Sequence, residues 1–155
     1  MRIYHIAYSV LPVLYHHSPF LFQRFDMSKS SKSAIWGSGI YLSDSPIGLG
    51  GWKSAGQKGY LYDVEFNGTT DKILDITMPL SENDTVRIAE ILGRETVDSI
   101  PIISLEKKFG SVAESLKSMG YDIMVHMPAA QSSAKRHYLC VNINVLNILN
   151  VKNVE

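Results

Sequence analysis

The chain has 155 residues, which suits a single domain over residues 1–155 that buries its own core without disulfide or metal staples. Apolar residues make up 45% of the chain and charged residues 19%, which excludes wholesale disorder. Fifteen basic residues balance fifteen acidic ones, so no global basic field favours nucleic acid as a partner.

The beginning of the chain does not have the form of a targeting segment. Residues 1–13 are apolar but are interrupted by polar residues and a proline, unlike a signal peptide. No run reaches the ~20 apolar residues that cross a bilayer, so no membrane partner is expected. Cys140, the single cysteine, lies in an apolar run and is expected to be a buried structural thiol. These features predict a cytoplasmic protein.

Short strand-like runs dominate the chain. They lie at 13–16, 39–43, 60–66, 73–76, 123–125 and 138–143. One helix is expected to begin after Ser81, as its N-cap, and to end at Gly93; another spans about Ser111 to Met119, with Gly120 as its stop. Many short strands with few helices between them predict an α+β fold, not a doubly wound parallel sheet.

Two polar and aromatic clusters carry the chemistry. Residues 15–19 read YHHSP at the end of a strand, and residues 37–43 read GSGIYLS at the start of the next. A lone G-x-G usually marks a turn, and this one lacks the context of a dinucleotide fingerprint. The five histidines and one cysteine show no metal-ligand spacing, so no metal is expected.

In order and spacing, these clusters resemble the motifs of ADP-ribosyltransferases of the H-Y-[E] type, similar to domains of phage and mobile-element polyvalent proteins. Residues 15–26, YHHSPFLFQRFD, resemble the opening Y-H-G-[ST] with its following F-x-x-F-D. Residues 37–43 resemble G-x-G-I-Y-F-[AS], with Pro46 and Trp52 at the offsets of a proline and a second tyrosine. Further segments match the later part of the pattern, at 59–65, 74–76, 79–82, 120–123 and 137–141.

This resemblance implies two small packed antiparallel or mixed sheets that form an NAD cleft, flanked by short helices. It places six residues against NAD, namely His16, His17, Ser18, Gly39, Tyr41 and Trp52. His16 would hydrogen-bond the adenosine ribose. The backbone of His17, where the family usually has glycine, would hold the nicotinamide carboxamide. Tyr41 and Trp52 would sandwich the nicotinamide ring, so that both rings and the imidazole of His16 line one pocket.

The same resemblance implies that His16, Tyr41 and His137 are catalytic. His137 stands where the family usually carries a glutamate that grips the ribose 2′-OH. A neutral imidazole offers no negative charge to an oxocarbenium-like transition state, and losing one such contact typically costs ~3–4 kcal/mol. Three acids are candidates to replace the glutamate, namely Asp122, Glu65 and Asp63.

Three functions therefore stay open. The first is transfer of ADP-ribose from NAD to a side chain of an unidentified target protein, as a phage or bacterial effector or toxin. The second is a catalytically impaired binding module or inhibitor that docks to a partner protein. The third is NAD glycohydrolase activity. Target contacts are expected in the loops 28–33 and 94–108, because surface loops carry recognition.

Overall fold

The computed structural model describes residues 10–29, 36–46, 59–92, 110–127 and 136–154. The strands are β1 (Leu14–Ser18), β2 (Ile40–Ser43), β3 (Gly59–Phe66), β4 (Ile73–Asp75), β5 (Ile123–His126), β6 (His137–Cys140) and β7 (Leu146–Val154). The helices are α1 (Glu82–Leu92) and α2 (Val112–Met119), and short 3-10 turns lie at Met27–Lys29, Thr70–Lys72 and Ile143–Val145. The predicted α+β class is confirmed.

The strands follow the hydrophobic pattern of the sequence. In β3, Tyr62, Val64 and Phe66 are buried on one face, as the alternation from Tyr60 onward predicts. All six predicted strands form, and the sixth ends at Cys140. The nine-residue β7 is an additional strand, and its apolar residues do not alternate strictly. A register shift opposite Asp63 and Val64 accounts for this break, because a bulge resets which residues share a face.

The described strands form one sheet with the order β4-β5-β6-β2-β1-β3-β7, whereas the family resemblance implies two. Only the β4–β5 pair is parallel. The join between β1 and β2 is a single residue pair, Tyr15 opposite Ser43. By contrast, β1 and β3 are paired from Leu14 to Ser18, and β2 and β6 are paired along all of β2. The sheet therefore consists of two half-sheets, β4-β5-β6-β2 and β1-β3-β7, whose strands pair with each other at one residue pair.

Each face of the sheet has its own apolar cluster. The two helices cover one face, where Ile88 of α1, Leu116 of α2 and Leu139 of β6 are fully buried. The opposite face buries Leu14 and Tyr62 completely, together with Ile123 of the other half-sheet. Neither described helix contributes to this second cluster, which instead includes Phe25 and, packed against it, Phe22 and Met27 from the segment after β1.

The helix ends carry the predicted caps. The Oγ of Ser81 accepts a hydrogen bond from the amide of Asp84 at 3.1 Å, and the Oγ of Ser111 accepts one from Glu114 at 3.1 Å. Gly120 ends α2 in the left-handed region, with φ of 82°. Gly93, the predicted end of α1, lies outside the described residues.

Cys140 is fully buried, as predicted, and burial raises the pKa of its thiol to about 12. Its sulfur lies 3.2 Å from the carbonyl oxygen of Asn142 and donates to it. Among the residues described, no helix combines the length and apolar character needed to cross a bilayer.

Candidate functional site

The two half-sheets part between β1 and β2. Beyond the pair Tyr15–Ser43, residues 16–18 of β1 pair only with β3, and residues 40–42 of β2 pair only with β6, among the strands described. We call this gap the β1–β2 opening. The imidazole of His16 bridges it, with Nδ1 2.8 Å from the carbonyl oxygen of Tyr41. The side chain of His16 thus bonds to a carbonyl that, in a continuous β-ladder, would accept from a backbone amide of the neighbouring strand.

This bond fixes the tautomer of His16. A carbonyl oxygen can only accept, so Nδ1 carries the proton and donates it to Tyr41. Burial lowers the pKa of His16, although the bond to Tyr41 opposes this, so the ring is neutral at pH 7. In a neutral imidazole with a protonated Nδ1, Nε2 is a lone-pair acceptor. Nε2 of His16 can therefore accept a hydrogen bond from a hydroxyl or an amine.

Aromatic rings set the orientation of His16. The ring of Phe25 lies edge-on to the imidazole at a centroid distance of 5.4 Å. Phe22 stacks on Tyr62 at 4.3 Å, and both rings also approach His16. The hydroxyl of Tyr62 donates to the carbonyl of Phe20 at 2.7 Å and accepts from the amide of Phe22 at 2.9 Å. The F-x-x-F segment thus packs around the imidazole and holds its position.

Tyr41 fixes a second loop through its hydroxyl. That hydroxyl donates to the carbonyl of Gly37 at 2.8 Å and accepts from the amide of Trp36 at 3.2 Å. The carbonyl of Trp36 in turn accepts from the amide of Ala113 at 2.8 Å. Gly37 has φ of 95°, and a Cβ there would come within 2.7 Å of the Oγ of Ser111. The first glycine of the G-x-G therefore seats this loop on the start of α2.

His16 and Tyr41 are brought together, but their rings leave the sheet on opposite faces. His16 lies on the face of Leu14 and Tyr62, whereas Tyr41 lies on the helix-covered face with Leu139. The register places His16 opposite Tyr62, on the face away from the helices. Side chains alternate along a strand, so the rings of His16 and Tyr41 cannot share one face. The sequence predicts that the side chains of His16 and Tyr41 line one pocket. In the structure, the imidazole of His16 instead contacts the backbone of Tyr41. Trp52, the expected partner ring, lies outside the described residues.

The remaining predicted cofactor residues lie beside the opening. His17 is buried, and alternation along β1 puts it on the same face as Tyr41. Ser18 is buried, and its Oγ accepts from the amide of Phe20 at 3.1 Å. A Cβ on Gly39 would lie 2.5 Å from Cδ1 of Leu139, so strand packing alone accounts for this glycine.

His137 lies on the helix-covered face, two strands from β1, and directly opposite His126. The two imidazoles are 5.8 Å apart and edge-on, and the indole of Trp36 packs against His126 at 4.3 Å. Burial lowers the pKa of His137 and lowers that of His126 to about 4, so both rings are neutral at pH 7. Sequence reasoning did not identify His126 or Trp36 as site residues, because no spacing indicates a cross-strand pair.

The three acids that the sequence offers in place of the glutamate lie away from His137. Asp122 precedes the opposite end of β5 and accepts from Nδ2 of Asn142 at 3.0 Å. Glu65 and Asp63 belong to β3, in the other half-sheet. Glu65 and Asp63 are separated from His137 by the strand order, and Asp122 by the length of β5.

The acid that acts on His137 is Asp44. Its backbone amide donates to the carbonyl of Arg136 at 3.2 Å, which places it beside the start of β6. Its negative charge raises the pKa of His137 against the effect of burial. In the sequence, the position of Asp44 directly after the GSGIYLS motif is the feature that could have indicated it as a site residue. Its relation to His137 follows only from the β2–β6 register.

In the part of the chain that is described, no three His, Cys, Asp or Glu side chains converge as metal ligands. The sequence matches no protein-family model, and no curated protein matches it. What the site does must therefore follow from its own residues and geometry.

Proposed function

We propose that the protein binds NAD at the β1–β2 opening and transfers its ADP-ribose to a side chain of a target protein. The observation that carries this proposal is the bond from His16 Nδ1 to the carbonyl of Tyr41. It leaves Nε2 as an oriented acceptor, which suits a hydroxyl of the adenosine ribose. NAD is a substrate in this reaction, and the ADP-ribosyltransferase fold that the motifs resemble is part of the proposal.

The second element is the pair of His137 and Asp44. Breaking the bond between nicotinamide and ribose builds positive charge on the sugar, which a nearby negative charge stabilises. The neutral imidazole of His137 is suited to accept a hydrogen bond from the ribose 2′-OH. The carboxylate of Asp44 supplies the negative charge that His137 lacks. Two residues thus share what one glutamate does in the family that the sequence resembles.

The third element is Tyr41, which bonds to His16 through its carbonyl and to a loop through its hydroxyl. Its carbonyl receives His16, and its hydroxyl holds the turn at Trp36 and Gly37. We assign Tyr41 this positioning role. Stacking of nicotinamide between Tyr41 and Trp52 stays a prediction.

A binding module that docks to a partner protein is the second candidate. The observation that favours it is the absence of a carboxylate at position 137, because a neutral ring leaves the transition state without direct charge stabilisation. Hydrolysis of NAD, with water as the acceptor, is the third.

The test is incubation of the protein with NAD labelled in its adenylate part and a cell lysate. Label on a protein supports transfer, and release of nicotinamide without labelled protein supports hydrolysis. NAD binding without either product supports the module. No measurable NAD binding by calorimetry overturns the proposal.

A further inference from the structure

The loop that follows β1 exposes its first side chains. Phe20 is 72% exposed and Leu21 is 66% exposed, so burial of these two side chains contributes little to holding the loop in place. The main chain of the loop is hydrogen-bonded instead. The amide of Phe20 donates to the Oγ of Ser18 at 3.1 Å, which ties the beginning of the loop to the end of β1.

The hydroxyl of Tyr62 holds the rest of this loop. Tyr62 lies in β3, directly opposite His16, and its side chain is fully buried. Its hydroxyl donates to the carbonyl of Phe20 at 2.7 Å and accepts from the amide of Phe22 at 2.9 Å. Burial raises the pKa of Tyr62, so the hydroxyl keeps the proton that it donates. One buried group thus bonds to both ends of the segment Phe20–Phe22, which we call the Phe20–Phe22 loop.

The imidazole of His16 needs this loop for its orientation. The bond from Nδ1 to the carbonyl of Tyr41 fixes one atom of the ring, and the ring can still tilt about that point. The tilt is limited by aromatic neighbours, since Phe25 lies edge-on at 5.4 Å and Phe22 lies at 6.4 Å between centroids. Phe22 in turn stacks on Tyr62 at 4.3 Å, with 10° between the ring planes. The ring and the hydroxyl of Tyr62 therefore set where Phe22 stands against the imidazole.

We propose that Tyr62 is a positioning residue for His16. By holding the Phe20–Phe22 loop, its hydroxyl fixes the direction in which Nε2 of His16 accepts a hydrogen bond from the adenosine ribose. This inference rests on the proposed function. It adds a residue to which the family resemblance gives no role, and this residue acts through His16 without touching NAD. Hydrogen bonds weaken steeply as their angle departs from linearity, so a tilted imidazole loses affinity for the ribose while the site itself persists.

The test compares two tyrosine variants of the whole protein. Tyr62→Phe removes the hydroxyl and keeps the ring that stacks on Phe22. Tyr121→Phe is the matched control, because Tyr121 is 2% exposed and its hydroxyl donates to Asp84 at 2.6 Å, within the cluster on the helix-covered face. Each variant loses a buried and hydrogen-bonded hydroxyl, so a general loss of stability, measured by thermal melts, is common to both. Only Tyr62→Phe is expected to act on His16.

The first measurement is calorimetric titration with NAD and with analogues that lack the 2′- or the 3′-hydroxyl of the adenosine ribose. Wild type is expected to bind one of the analogues about five- to tenfold more weakly than NAD. In Tyr62→Phe this difference is expected to shrink to about twofold, because the hydrogen bond is already weakened. Tyr121→Phe is expected to keep the wild-type difference. An undiminished difference in Tyr62→Phe, or equal binding of NAD and both analogues by wild type, overturns the inference.

The second measurement does not depend on NAD. Imidazole NMR of the free protein reports which nitrogen of His16 carries the proton, and wild type is expected to show protonation of Nδ1 alone. Tyr62→Phe is expected to show both tautomers in exchange, whereas Tyr121→Phe keeps the wild-type signals. Phe22→Leu removes the stacked ring and gives a second variant in case Tyr62→Phe does not fold, and the same mixture of tautomers is expected.

The two measurements separate this inference from the proposed function. If NAD binds and the His16 signals of Tyr62→Phe match those of wild type, the positioning role fails alone. Equal changes in Tyr62→Phe and Tyr121→Phe also overturn it, because they show a general structural effect. If NAD does not bind, but Tyr62→Phe changes the tautomer and Tyr121→Phe does not, the proposed function fails and the hold of Tyr62 on the imidazole stands.

Discussion

His16 donates its Nδ1 proton to the backbone carbonyl of Tyr41 at the point where β1 and β2 separate. This bond joins the two half-sheets beyond their single residue pair, and it leaves Nε2 as the acceptor nitrogen. In the role that we assign to His16, Nδ1 donates to Tyr41 and Nε2 accepts from NAD. Substitutions that keep one of these groups and remove the other can separate the two contributions.

His16→Asn keeps a donor near the position of Nδ1 and removes the acceptor at Nε2. We expect NAD to bind about five- to tenfold more weakly, because one hydrogen bond of about 1 kcal/mol is lost, while thermal stability changes little. His16→Gln places an acceptor near Nε2 and removes the bond to Tyr41, so it is expected to lower stability more than His16→Asn does. Calorimetric titration with NAD and thermal melts measure both effects. Equal NAD affinity in wild type and His16→Asn would show that Nε2 does not contact the dinucleotide.

Asp44→Asn removes the negative charge beside His137 without changing the size of the side chain. We expect the rate of NAD cleavage to fall about 10²-fold, since stabilisation of charge at the transition state is lost, while NAD affinity changes less than threefold. Nicotinamide release under saturating NAD measures this rate. Glu90→Gln, an exposed acid on α1, is the control and is expected to leave the rate unchanged. Wild-type activity in Asp44→Asn would remove Asp44 from the mechanism.

Stability is expected to fall as the pH drops from 6.5 to 4.5. The pKa of His126 is about 4 in the folded protein and 6.5 in the unfolded chain, so the unfolded state binds more protons in this window. Burial also lowers the pKa of His16 and His137, which adds to the effect in the same direction. Allowing for solvent screening at His126, we expect a loss of about 1–2 kcal/mol in the free energy of unfolding.

Urea titrations at pH 6.5 and 4.5 measure this loss. Hydrogen bonds lower the pKa of Asp26 and Asp71, so these two carboxylates stay ionised in the window. His126→Phe is expected to flatten the pH dependence. An equally steep dependence in that variant would assign the effect to other groups.

Gly37→Ala tests the seating of the Trp36–Gly37 turn on α2. A Cβ at this position meets the strain of a positive φ and also the side chain of Ser111. Gly110→Ala is the matched control, because Gly110 has a φ of 89° and open space around its Cβ position. We expect a loss of about 1 kcal/mol for Gly110→Ala and of about 2–3 kcal/mol for Gly37→Ala. Equal losses would mean that Ser111 moves aside at no cost.

The sequence by itself determined the local elements. The alternation in β3 fixes which of its side chains are buried, Ser81 and Ser111 cap the two helices through bonds to residues three positions on, and the apolar run around Cys140 buries its thiol. These features depend on neighbours within a few residues, so the spacing of residue types is enough to predict them.

Only the tertiary structure decided the separation of β1 from β2, the opposite faces of His16 and Tyr41, and the meeting of His126, His137 and Asp44. These relationships join segments between 11 and more than 90 positions apart in the chain. They depend on strand order and register, and a shift of one residue in register turns every side chain of a strand to the other face. No local pattern in the sequence carries that choice, because it is set by which strands pair and by the packing of the cores on either side of the sheet.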